Sequence, residues 1–151
     1  MNEEQIRQMR AGREMDCLVA EQVMGWVWMR RREPRHEGDT LQSVLYRPDW
    51  KWIDWCELIP DDGKPRSMNQ SIPAYSTDIA AAWGVVERLY NEHWIVSIGS
   101  LAENPRGWRC ELCNMWPDDF ERAPTDIEAN GDTAPLAICR AALLAAMERG
   151  E

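Results

Sequence analysis

The sequence predicts a single α+β domain in which about three helices pack on a small, mainly antiparallel sheet. Three observations carry that prediction. Apolar residues recur at threes and fours in three separate segments, the period of a helix face; two short segments between them alternate with the period of a strand; and a turn-forming linker joins the alternating pair. A chain of 151 residues, 44% of them hydrophobic, has enough apolar material for one core, so residues 1–151 are read as one domain.

The first helix is expected over residues 15–29, where Met15, Leu18, Val19, Val23, Trp26 and Val27 share a face. Residues 30–39, with Arg30, Arg31, Arg32, Arg35, His36, a proline and a glycine, read as an exposed basic loop. Between Ser43 and Ile59, the residues Val44, Tyr46, Trp50, Trp52, Ile53, Trp55 and Leu58 give a β-type composition, broken by Pro48 and closed by the turn at 60–63. A second helix begins near Ser76 or Thr77 as cap and runs to Asn91, with Ile79, Trp83, Val86 and Tyr90 as its inward stripe. Trp83 is thereby expected in the core. Residues 94–100 and 108–114 alternate as a hairpin across a linker holding Asn104, Pro105 and Gly107. Residues 118–132 look acidic and irregular, and Thr133 caps a last helix carrying Leu136, Cys139, Leu143 and Met147 on one face.

Twenty-six acidic against 17 basic residues leave a formal net charge of −9, which disfavours duplex DNA or RNA as a direct partner. The same excess suits a protein whose carboxylates stand in for phosphates on a host target. No apolar run reaches the roughly 20 residues that cross a bilayer, and the polar first ten residues are unlike a secretion signal. A cytoplasmic location is expected. Five cysteines, an odd number set among apolar neighbours, argue for reduced thiols in place of a disulfide framework. Nine tryptophans against one phenylalanine is the oddest feature, since each indole brings an N–H that needs an acceptor.

Cys110 and Cys113 have CxxC spacing, but in a strand positions three apart face opposite sides, and neither a second pair nor paired histidines completes a site. Glycine-rich phosphate loops, HExxH and nucleophile elbows are absent, so no metal, cofactor or catalytic residue is assigned and the chain is read as a non-enzyme. What stands out is a basic run beside aromatic residues: Arg30, Arg31, Arg32 and Arg35 near Trp26 and Trp28, and the cluster Trp50, Trp52 and Trp55. Guanidinium groups with indole faces suit a nucleotide-sized anion, by phosphate contact and base stacking. The same residues also fit a plainer reading, arginines capping the first helix and tryptophans filling the core. Tyr75 and Ser76, just before the second helix, are a further candidate because N–H groups at a helix start attract anions, although Asp78 opposes that use.

Three blocks, AGREMDCLVAEQVMGW (11–26), PAYSTDIAAAW (73–83) and TAPLAICRAALL (133–144), together resemble the small phage proteins that carry the phage ABA sandwich domain. The resemblance spans most of the chain, with an insert around residues 30–72. It implies a three-layer α/β/α sandwich and a phage origin, and it brings no catalytic residues. The setting points to a binding protein that counters host defence by sequestering a nucleotide-type immune signal, as a homo-oligomer with sites near subunit contacts. Two other readings stand beside it: an acidic inhibitor of a host defence complex, using Asp54, Glu57, Asp61, Asp62, Asp118, Asp119 and Glu121, and a phage structural or assembly protein.

Overall fold

The computed structural model describes residues 1–32, 43–50, 52–53, 56–60, 66, 71–102, 106–114 and 126–150, with only the backbone of 52, 53 and 56. Among these, the chain runs α1 (Glu3–Gln8), α2 (Arg13–Leu18) passing into a π-helical turn (Val19–Val23), then β1 (Val27–Arg32), β2 (Val44–Tyr46), β3 (Trp52–Ile53) and β4 (Cys56–Pro60). There follow α3 (Ile79–Asn91), β5 (Trp94–Ser100), β6 (Trp108–Asn114), β7 (Asp126–Gly131) and α4 (Ala134–Gly150). The α+β class holds, but the strands form two antiparallel sheets in place of one, ordered β2-β1-β4-β3 and β5-β6-β7.

The core is built around α4. Residues 135–139 and 141–145 are buried almost all round, since the helix packs on β6 and β7 and also against α3, α1 and the π-turn. The expected single face was therefore too narrow. Gly131, the last residue of β7, has Ala137 N only 2.8 Å from where a Cβ would stand, so its lack of a side chain lets α4 start directly over the sheet. Thr133 supports that start as expected, its Oγ1 accepting from Leu136 N at 3.4 Å.

The hairpin β5–β6 has the expected limits and pairs from Trp94↔Asn114 to Ser100↔Trp108. Its inward row of Trp94, Val96, Ile98, Cys110 and Leu112 meets the helices, while Ser97 and Glu111 point outward. The stretch expected to be irregular yields a third strand, β7, whose Ile127 and Ala129 alternate inward with Glu128 and Asn130 outward. Four polar or charged residues in and beside that strand hide a period-2 pattern with only two apolar members.

Two helix expectations need correction. The first helix stops at Val23, because Gly25 takes a left-handed φ of 73° and Trp26 N turns back to Ala20 O at 2.8 Å. Val27 to Arg32 then become β1, so Arg30, Arg31 and Arg32 belong to a strand and not to a loop. In α3 the cap is Asp78, which accepts from Ala80 N, and the buried face is Ala82, Val85 and Leu89. Ile79, Trp83 and Tyr90 point out; Trp83 is 53% exposed and Tyr90 72%. Both stripes have helical spacing, and the one bearing small Ala82 lets α3 settle close to its neighbours.

Candidate functional site

The aromatic and basic residues singled out in the sequence converge on the four-stranded sheet. Strand alternation divides the arginines. Trp28, Arg30 and Arg32 share one face of β1 with their partners Leu45, Ile59 and Glu57, whereas Arg31 faces the other way with Leu58. Leu45 is fully buried in the core and Trp28 packs against that core, so this row runs from the interior to the rim. Arg30 is only 5% exposed; Arg32 is exposed and lies 3.6 Å from the carboxylate of Glu57. The guanidinium of Arg66 stands 4.8 Å over the Trp28 ring. The Trp28 indole N–H is buried and has no hydrogen-bond acceptor among the described residues.

A second aromatic group forms at the entry to this sheet. Trp26 is buried and lies 6.4 Å from Trp50, which is 6.2 Å from Tyr46, both pairs tilted, and Arg47 covers the Trp50 ring at 5.8 Å. Trp26 thus acts as core. The backbone of Trp52 pairs with Glu57; its side chain, Arg35 and Trp55 lie outside the described residues.

Tyr75 and Ser76 do not form an open anion site. Both are buried, and Ser76 donates its backbone N–H and its Oγ–H to Asp16 Oδ1, each at 2.8 Å, while Gly12 N donates to Ser76 Oγ at 2.9 Å. The Ser76 donors are thus taken by the chain's own Asp16, whose side chain is buried, 1% exposed, and 3.7 Å from the Arg13 guanidinium. Arg13 also donates to Ile72 O at 2.7 Å, tying α2 to the segment before α3. Burial pushes the Tyr75 hydroxyl up to about 12.

The CxxC cysteines face opposite sides of β6, Cys110 buried and Cys113 on the outer face. Burial pushes the Cys110 thiol up to about 12 and raises Cys17 and Cys139 as well, so these sulfurs stay protonated. A hydrogen bond with Asp126 raises Cys113. Of the carboxylates considered for mimicry, Glu57 is described and pairs with Arg32; Asp54, Asp61, Asp62, Asp118, Asp119 and Glu121 lie outside the described residues.

One surface has no counterpart among the sequence expectations. Trp83, Val86 and Tyr90 of α3, with Ile95 and Val96 of β5, line an open groove of about 920 Å³ whose charged or titratable members include Glu87 and His93. The available signal was the number of apolar residues on α3: Ile79, Ala82, Trp83, Val85, Val86, Leu89 and Tyr90 are too many for one inward stripe.

Among the described residues no helix is long and apolar enough to cross a membrane. Neither a curated protein nor a solved structure matches the chain. The family model of the phage ABA sandwich domain matches residues 17–143, which include α3, all seven strands and most of α4. By that match over most of its length, the chain belongs to the phage ABA sandwich domain family.

Proposed function

We propose that this protein is a non-enzymatic phage binding module, acting in the host cytoplasm, that counters defence by holding a nucleotide-type signal along the Trp28–Arg30–Arg32 row. One observation carries the reading: a buried indole N–H without an acceptor among the described residues, on the strand face that also brings Arg30 and Arg32 into line. A phosphate oxygen would suit that N–H and the guanidinium groups, and a base could displace Arg66 from the Trp28 ring. The three-layer order named by the family belongs to the same proposal, because α3 and α4 supply one helical layer on the β5–β7 sheet. The acidic-inhibitor reading draws support from the net charge of −9 alone, as its one described carboxylate is engaged with Arg32.

The test is calorimetry on the purified chain with cyclic dinucleotides, cyclic trinucleotides and ADP-ribose-derived signals. Binding that Arg32→Ala weakens by roughly 10-fold or more, and that falls with added salt, is the expected result. Trp28→Phe should keep stacking and lose the N–H contact, weakening capture by roughly 5- to 10-fold. No heat from any member of the panel, with the fold intact by circular dichroism, would retire the nucleotide reading.

A further inference from the structure

We propose that β5 and α3 together form a self-complementary surface on which a second copy of this chain docks, about a two-fold axis passing over Ser97. This surface is independent of the nucleotide reading, since it lies on the other sheet.

β5 is the edge of the three-stranded sheet, and among the described residues no strand lies beyond it. Leu101 N donates to Gly107 O at 3.0 Å, which fixes the alternation of the hairpin ladder. Gly99, Ser97 and Ile95 therefore bond to β6, and Trp94, Val96, Ile98 and Ser100 turn their N–H and C=O groups to the open edge. The strand reads WIVSIGS, without a charge or a proline, the devices that ordinarily keep an edge from pairing.

Antiparallel pairing of β5 with itself, centred on Ser97, overlaps all seven residues. It sets Trp94 against the second Ser100 and Val96 against the second Ile98 as hydrogen-bonded pairs, with the two Ser97 residues meeting as a non-hydrogen-bonded pair. A two-fold axis perpendicular to the sheet keeps both copies of α3 on the same face, side by side.

The helix is symmetric about the same axis. Its outer stripe joins exposed Ile79, Trp83 and Tyr90 with half-buried Val86 at spacings of four, three and four, so an antiparallel mate places Ile79 on Tyr90 and Trp83 on the exposed edge of Val86. The centre of that stripe lies about six or seven residues before the end of α3, roughly 10 Å at ~1.5 Å per residue, and Ser97 lies three strand residues after Trp94, also roughly 10 Å at ~3.3 Å per residue. Because α3 packs on β5 and both lengths run from the turn that joins them, the centre of the stripe and Ser97 lie at similar distances from that turn. The groove contributes one carboxylate, Glu87, to a contact that is otherwise mainly apolar, and this suits a copy of itself better than a charged partner.

Sedimentation of the full chain should give twice the 17.5 kDa of one copy, and Trp83→Glu should raise the dimer dissociation constant at least ~100-fold while leaving the circular dichroism spectrum unchanged. Register is read independently by mild oxidation of Ser97→Cys, which should form a disulfide-linked dimer because directly opposed side chains of a non-hydrogen-bonded pair approach closely. Unsubstituted protein and Asn130→Cys, on the exposed outer face of β7, should not. A chain that stays monomeric at about 100 µM, where a standard-sized interface would be populated, overturns the proposal whether or not it accepts a foreign strand peptide. So does a dimer that survives Trp83→Glu and gives no Ser97→Cys cross-link.

Discussion

Asp16 and Ser76 show how much one buried polar pair decides. The carboxylate is held by two hydrogen bonds from Ser76 and by Arg13, so its desolvation is offset only while those partners stay in place. Asp16→Ala should destabilise the fold by about 1–3 kcal/mol in urea unfolding, because the Ser76 N–H would be left buried without its acceptor and the Ser76 hydroxyl with only the longer bond to Gly12 O at 3.4 Å. Trp83→Ala should leave monomer stability within about 1 kcal/mol when measured below the dimer's dissociation constant, against the several kcal/mol a core indole would cost, since the ring is 53% exposed. The thiols add a pH dependence. Cys110 has an ordinary value of 9.0 and is pushed up to about 12 in the fold, so the unfolded chain loses this proton first. Stability from this group is therefore complete below pH 9.0 and declines as pH rises towards about 12, by about 1.4 kcal/mol per pH unit. Cys110→Ala should make the alkaline loss shallower in denaturant titrations at pH 8 to 11, at about 1–2 kcal/mol of packing cost.

Among elements, the junction of β7 with α4 is close enough to exclude a side chain at Gly131. Gly131→Ala would place a methyl group 2.8 Å from Ala137 N and 3.1 Å from the Leu136 side chain, so strand and helix must separate. The expected cost is about 1–3 kcal/mol, read as a lower melting temperature with unchanged secondary structure. Arg140 secures the same corner from another direction, donating to Met9 O at 2.7 Å and to Asn130 O at 2.7 Å, which joins the end of α1 to β7. Elements with a strong local signal are legible in the sequence. The β5–β6 hairpin, the capped α4 and most of α3 follow from period and turn residues. β7 is not, because Asp126, Glu128 and Asn130 make its sequence look like loop while only Ile127 and Ala129 are needed to fill the space beneath α4.

At the scale of the molecule, a net charge of −9 on each copy opposes association, so an apolar dimer should tighten with salt. A dissociation constant that falls as sodium chloride rises from about 50 mM to 500 mM is the expected result, opposite in sign to the salt response of anion capture on the arginine row. Two surfaces with opposite salt dependence can then be told apart in one preparation. The candidate site is only partly legible in the sequence. Trp28, Arg30 and Arg32 were marked by composition and do come together, but Arg31 turns to the opposite face and Tyr75 with Ser76 close on Asp16.

The α+β class, the family, the hairpin and the placement of the two CxxC thiols on opposite faces are legible in the chain alone, since each depends on contacts local along it or on a recognisable string of residues. Which stripe of α3 is buried, how the described strands divide into two sheets, and where the first helix gives way to β1 emerge from packing between distant segments. Periodicity tells that a face is apolar and not which neighbour covers it; α3 carries two apolar stripes of helical spacing, and the choice between them is made by how closely Ala82 and Val85 approach the rest of the core.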